Sequence, residues 1–126
     1  MRYNQTMPTL RHYAKFAFIP LVFMCLSGQL LAAELLMVEQ EDCPHCMRFN
    51  TEIGHLYAKT SEGKLAPLLR LDLHTDWPAQ YTNISKPPVT PTFILIHDGK
   101  EVDRLHGYDG DEFFWFLLGE MLEKLP

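Results

Sequence analysis

Cysteine is scarce in this chain. There are three in 126 residues, and one of them, Cys25, lies in an apolar stretch near the start. The other two, Cys43 and Cys46, stand two residues apart. So few thiols exclude the disulfide framework that staples many small exported domains, which needs more bridges at wider spacing. They also leave a structural zinc site short of ligands, because such a site takes four and none of His55, His74, His97 and His106 has a paired ligand spacing. A single bridge across two residues adds little chain-entropy stabilisation. The pair reads as made for exchange.

A surplus of positive charge is missing too. The formal net charge is −5, and 1–33 holds no acidic residue at all. Beyond that segment lie 8 of the 11 basic residues and all 16 acidic ones, a formal charge of −8. That balance excludes nucleic acid or anionic lipid as the main partner and suits contact with other proteins. No internal repeat and no low-complexity segment is present, and the length fits one small domain.

Residues 1–33 carry Arg2, Arg11 and Lys15, then an apolar core from Phe16 to Leu26, then Ser27-Gly28-Gln29-Leu30-Leu31-Ala32-Ala33. This is the order of a secretory signal peptide, with cleavage after Ala33 or Ala32. An uncleaved anchor is the alternative, since the apolar stretch with Gly28 and Gln29 approaches the roughly 20 residues that span a bilayer. The domain proper is then 34–126, close to the lower size at which one core suffices.

Leu35-Leu36-Met37-Val38 is a continuous apolar run, expected as a strand buried on both faces. From Pro44 to about Thr60 the apolar positions Cys46, Phe49, Ile53, Leu56 and Tyr57 recur at helical spacing, with Pro44 in the first turn and Ser61-Glu62-Gly63 as a stop. Leu69, Leu71 and Leu73 alternate with polar residues, and Pro67 nearby marks an edge strand. Thr75 to Val89 reads as a crossover with at most one helical turn. Thr92 to His97 and Glu101 to His106 form a hairpin about Asp98-Gly99, with Gly107 a bulge or an exit. Asp111 caps a final helix over Glu112–Lys124. That helix covers the sheet with Phe114, Leu117, Leu118, Met121, Leu122 and Leu125. The alternative reading of Phe113, Trp115 and Phe116 is a docking patch.

Cys43 falls at the N-cap of the first helix, where unpaired N–H groups and the helix dipole favour a thiolate. Cys43 is therefore expected to be the attacking sulfur, open to solvent, and Cys46, three residues on and aligned with the buried stripe, the resolving one. The pair itself is the only redox group required, with no metal and no added cofactor.

A strand, Cys43-Pro44-His45-Cys46 at a helix start, Val89-Thr90-Pro91-Thr92-Phe93 and a hairpin together resemble the thioredoxin superfamily, across essentially all of Leu35 to Lys124. The resemblance implies an α/β minimal thioredoxin fold: a four-stranded mixed sheet built as β-α-β, crossover, β-hairpin and C-terminal α, with helices on both faces. It also implies that Pro91 is cis and that Thr90 and Pro91 present backbone groups to an extended substrate segment. Many members carry a buried acid six residues before the first cysteine. Here that position is Met37, with Glu39 or Glu41 as weak substitutes.

The short exported form, the run before the motif and Gly107-Tyr108 ahead of Phe113-Phe114-Trp115 resemble the periplasmic thioredoxins of bacterial sulfur-oxidation (Sox) operons. That likeness implies a periplasmic reductase acting on a cysteine disulfide or adduct of a partner protein, such as the Sox carrier protein. Its electrons would arrive from a membrane thiol–disulfide transporter. Pro44-His45 is instead the dipeptide of the periplasmic oxidase of the DsbA type. The potentials of thioredoxin and that oxidase differ by about 150 mV, roughly 7 kcal/mol, so a thiol oxidant is the alternative. A redox-switched binding module without turnover is the non-enzymatic one, and a glutaredoxin-like use of glutathione a further option.

Overall fold

A computed structural model of the chain describes residues 33–126. The predicted leader and Cys25 lie outside them, except for Ala33, which is buried beside the first strand. No helix among the described residues is long and apolar enough to cross a membrane.

The elements are β1 (Glu34–Glu39), α1 (Pro44–Phe49) running into a π-helical turn (Asn50–Gly54), a 3-10 turn (Tyr57–Lys59), α2 (Ser61–Leu65), β2 (Leu68–Asp72), a second 3-10 turn (Ala79–Tyr81), β3 (Thr92–His97), β4 (Lys100–His106) and α3 (Asp111–Leu122). The sheet has the order β2-β1-β3-β4, with β1 parallel to β2 and the other pairs antiparallel. Leu35 to Val38 are all fully buried, as a continuous apolar run in a central strand requires. Their alternation feeds two cores: Leu35 and Met37 on one face, Leu36 and Val38 on the other.

The predicted four-stranded mixed α/β fold is present, but its two faces are covered unequally. Residues of α1 and α3 pack together on one face, where Phe114 lies 4.9 Å from Phe93 and 5.2 Å from Phe49 between ring centroids. Such aromatic contacts add about 0.5–1.5 kcal/mol each beyond area burial. Among the described residues, the crossover covers the opposite face, and its 3-10 turn brings Tyr81 and Ile84 onto Leu36, Val38 and Ile94.

Three local expectations are corrected, and one open alternative is decided. First, the helix from Pro44 is not continuous to Thr60. It widens into the π turn, where Thr51 Oγ1 donates to the Met47 carbonyl (3.1 Å) and so competes for a ladder acceptor. Phe49, Ile53 and Tyr57 stay buried, while Leu56 turns outward and is exposed.

Second, Ser61-Glu62-Gly63 opens a helix and does not end one. Thr60 is the N-cap, its Oγ1 accepting the Gly63 N–H (3.0 Å). Third, the bulge lies within the hairpin, at the register shift between Leu95 and Ile96, and Gly107 (φ 82°) is the exit. Fourth, Gly110 (φ 124°) precedes α3 as its cap residue. Asp111 is the first helical residue and accepts the next N–H, that of Glu112 (2.8 Å).

The edge position of β2 is as expected. Leu69 is exposed there and Leu71 is buried.

Candidate active site

β1 ends at Glu39, and the chain turns through Asp42 in the left-handed region (φ 56°) to reach the cysteine motif. Cys43 is extended (φ −97°, ψ 101°) and caps α1, its Sγ accepting the Cys46 N–H at 3.2 Å. Pro44 occupies the first turn, where its missing N–H removes no helical bond. Cys43 and Cys46 are joined as a disulfide with Cα atoms 5.2 Å apart. Pro44 and His45 are exposed beside it.

The loop before β3 closes over the same sulfur. Thr90 Oγ1 lies 3.4 Å from Cys43 Sγ, and the Thr90–Pro91 peptide bond is cis. Two further bonds hold this loop. Thr92 Oγ1 donates to the Val89 carbonyl (2.8 Å), and the Gly107 N–H donates to the Pro91 carbonyl (2.7 Å). Because the Thr92 hydroxyl has one proton and Val89 takes it, the 3.1 Å contact with His106 makes His106 Nδ1 the donor there. Thus Cys43, Cys46, Thr90 and Pro91, four residues singled out in the sequence, meet at one place.

One expectation fails. With the disulfide formed, Cys43 is 5 % exposed and Cys46 3 %, so no marked contrast separates an open sulfur from a shielded one. The Thr90 hydroxyl on Cys43 accounts for part of that cover.

Met37, in the position of the family's acid, is fully buried in the same cluster as both cysteines. Arg70 Nη1 sits 3.6 Å from its sulfur. The same guanidinium binds Glu39 (2.8 Å) and Asn50 (2.7 Å). Glu39 is therefore engaged by Arg70 of the edge strand, and Glu41, the other expected substitute, is exposed.

Sequence reasoning passed over a polar group beside the motif. Arg48 Nε donates to Glu52 (2.8 Å), Tyr108 Oη donates to Glu52 (2.5 Å), and the Arg48 guanidinium lies 5.6 Å from the Tyr108 ring centroid. The Tyr108 hydroxyl first, then Arg48, holds the Glu52 carboxyl below its usual range, while burial first, then Glu52, pushes the Tyr108 phenol up. The i,i+4 spacing of Arg48 and Glu52 was the one legible signal. Among the described residues, no group of three His, Cys, Asp or Glu side chains is placed to hold a metal ion. What the arrangement can do chemically is thiol–disulfide exchange at the Cys43–Cys46 pair.

Solved structures similar to this chain are thioredoxins. The periplasmic thioredoxin SoxS from Paracoccus pantotrophus, in its reduced form, is 36 % identical with a TM-score of 0.71, over 75 % of this chain and 99 % of that one. A thioredoxin from Fasciola hepatica (24 % identity, TM-score 0.54, 71 % of this chain and 80 % of that one) shares the fold. So does one from Thermus thermophilus (21 %, 0.55, 73 % and 75 %). No family model matches the chain, and no curated protein matches it.

Proposed function

The chain belongs to the thioredoxin family and is a thiol–disulfide oxidoreductase, and from that premise we propose that it is an exported, periplasmic reductase of a cysteine disulfide or adduct on a partner protein. The observation that carries this reading is the Cys43–Cys46 pair at the start of α1 with Thr90 and cis Pro91 against it. The likeness to a periplasmic thioredoxin and the signal-like order of 1–33 support the location.

In the proposed reaction the Cys43 thiolate attacks one sulfur of the substrate disulfide. A Cys43 mixed disulfide forms and the other substrate sulfur leaves as a thiolate, which takes up a proton. The Cys46 thiol then gives up its proton and attacks Cys43 Sγ, forming Cys43–Cys46 and releasing the second substrate thiolate. Two electrons pass from the protein dithiol to the substrate. A membrane thiol–disulfide transporter returns them, and the Sox carrier protein is the proposed client. The Cys46 N–H aimed at Cys43 Sγ stabilises charge on that sulfur, and the Cys43–Cys46 pair is the only redox group used.

The exposed His45 between the cysteines favours a second reading, in which the same steps run in reverse and the disulfide oxidises a client dithiol. Trapping with Cys46→Ser distinguishes the two. The variant should accumulate a mixed disulfide on Cys43 in periplasmic extract with a protein bearing a disulfide or adduct. The wild type should be rereduced by a membrane transporter. Recharging by a quinone-linked oxidation system alone, together with a potential near about −120 mV, would overturn the reductase reading. A wild type that turns over no disulfide would leave a binding module.

A further inference from the structure

An open groove of about 400 Å³ lies between Arg48 of α1 and the turn that joins β4 to α3. Its position follows from the Gly107 N–H bond to the Pro91 carbonyl (2.7 Å), which fixes this turn to the loop facing Cys43. Tyr108 then plunges into the core against Phe49 and Phe114, and the chain emerges as Asp109-Gly110 along the rim. Arg48 forms the opposite wall.

Two features of this groove stand apart from the two cores. Phe113 and Phe116 line it while 52 % and 61 % exposed, three residues apart on α3. Neither belongs to either core cluster. Around them stand Asp109, Asp111 and Glu112, all exposed, and none forms an ion pair among the described residues. Asp111 and Glu112 suit the first turn of a helix, but Asp109 lies outside it. The one base in the groove, Arg48, is already bound to Glu52 (2.8 Å).

We propose that this groove docks the segment flanking the substrate's cysteine and selects one that carries a bulky apolar side chain together with a basic residue. The proposal rests on the thiol–disulfide reading above and names the substrate class. Two exposed phenylalanines want an apolar side chain, and three exposed carboxylates around them attract a cation. Continuity with the Thr90–Pro91 loop makes the occupant a part of the client that is undergoing exchange. A formal charge of −8 beyond 1–33 disfavours an anionic membrane as the occupant.

The test uses the reduced protein and short single-cysteine peptides, each bridged to β-mercaptoethanol, and reads the second-order rate of exchange. One peptide carries Leu and Arg beside the cysteine, one Leu and Glu, and one Ser and Arg. The Leu-Arg peptide should react about tenfold faster than the Leu-Glu peptide at low salt. That ratio should fall toward unity in about 1 M salt, where the Debye length is ~3 Å.

The ratio should also collapse in Glu112→Lys combined with Asp109→Lys, and Phe116→Ala should erase the advantage of Leu-Arg over Ser-Arg. Each ratio is taken within one protein, so partial loss of folded material does not disturb it. Equal rates in the wild type, or a preference that survives both charge reversals, would overturn the groove while leaving exchange intact. Failure to exchange with any peptide and with hydroxyethyl disulfide would overturn the exchange reading as well.

Discussion

Gly63 and Gly119 both lie within helices, and alanine at the two should act in opposite directions. In a helix interior, Gly to Ala ordinarily stabilises by about 0.5–1 kcal/mol, because glycine loses more backbone freedom on folding. At Gly119 a Cβ meets nothing within 4 Å, so Gly119→Ala should gain that amount. At Gly63 the same atom would lie 2.7 Å from the Tyr57 carbonyl carbon and 3.1 Å from Ala58 Cα, with the carbonyl oxygen nearer still.

These are backbone atoms and cannot swing aside. Tyr57 is pinned as well: it is 1 % exposed and its hydroxyl donates to the Ala66 carbonyl (2.8 Å). Forcing an extra carbon into such a site costs about 1–3 kcal/mol, and the Thr60 cap on Gly63 N (3.0 Å) is strained with it, worth about 1 kcal/mol. After the propensity gain, Gly63→Ala should lose about 1–3 kcal/mol. At about 4–8 °C per kcal/mol for a domain of this size, its melting point should fall by at least about 5 °C, while that of Gly119→Ala should rise by a few. Thermal and urea unfolding of the oxidised protein measure both. A Gly63→Ala variant as stable as the wild type would refute the packing argument.

Two further outcomes bear on the site. Thr90→Val removes the hydroxyl 3.4 Å from Cys43 Sγ, a donor to that sulfur, so the second-order rate at which the reduced protein exchanges with hydroxyethyl disulfide at neutral pH should fall severalfold; an unchanged rate removes Thr90 from the sulfur's partners. In acid, the Glu52 carboxyl is held low by Tyr108 and then Arg48, and that of Asp103 by its hydrogen bond to Lys124 foremost. Both contributions are complete above the ordinary carboxylate range and are lost as pH falls through the lowered folded values. Urea midpoints should therefore decline on acidification, and less steeply in Tyr108→Phe, which removes the first of Glu52's partners; an equal slope in the variant would show that the phenol does not hold the carboxylate.

Much of the fold was legible because it rests on short-range signals. The run Leu35–Val38 could only be a strand buried on both faces, and Asp98-Gly99, with φ of 49° and 73°, is a two-residue turn that few other pairs adopt. The alternation of Leu69, Leu71 and Leu73 identified an edge strand. What stayed hidden was decided by contacts at a distance. The π turn after Phe49 shifts the helical register, so apolar spacing alone placed Leu56 inside when it is outside. Gly63 looked like a stop because glycine often ends helices, yet it is needed for the close approach of Tyr57. At the site, Cys43, Cys46, Thr90 and Pro91 were readable as motifs. The pairing of Tyr108 with Glu52 spans 56 residues, and no local pattern announces it.

The same contrast bears on how the sulfur chemistry is driven. In the proposed cycle, activation of Cys43 draws on the two donors that face its sulfur, the Cys46 N–H and the Thr90 hydroxyl. These aid formation of the first thiolate. The second half of the proposed cycle lacks a comparable aid. The residue six before Cys43 is the buried Met37 and not an acid, and Glu39 is held by Arg70. Cys46 itself is buried in the cluster that holds Met37 and Phe49. A mixed disulfide that waits on Cys46 gains from any contact that keeps its client seated, and the groove along Phe113 and Phe116 lies where such a contact would act.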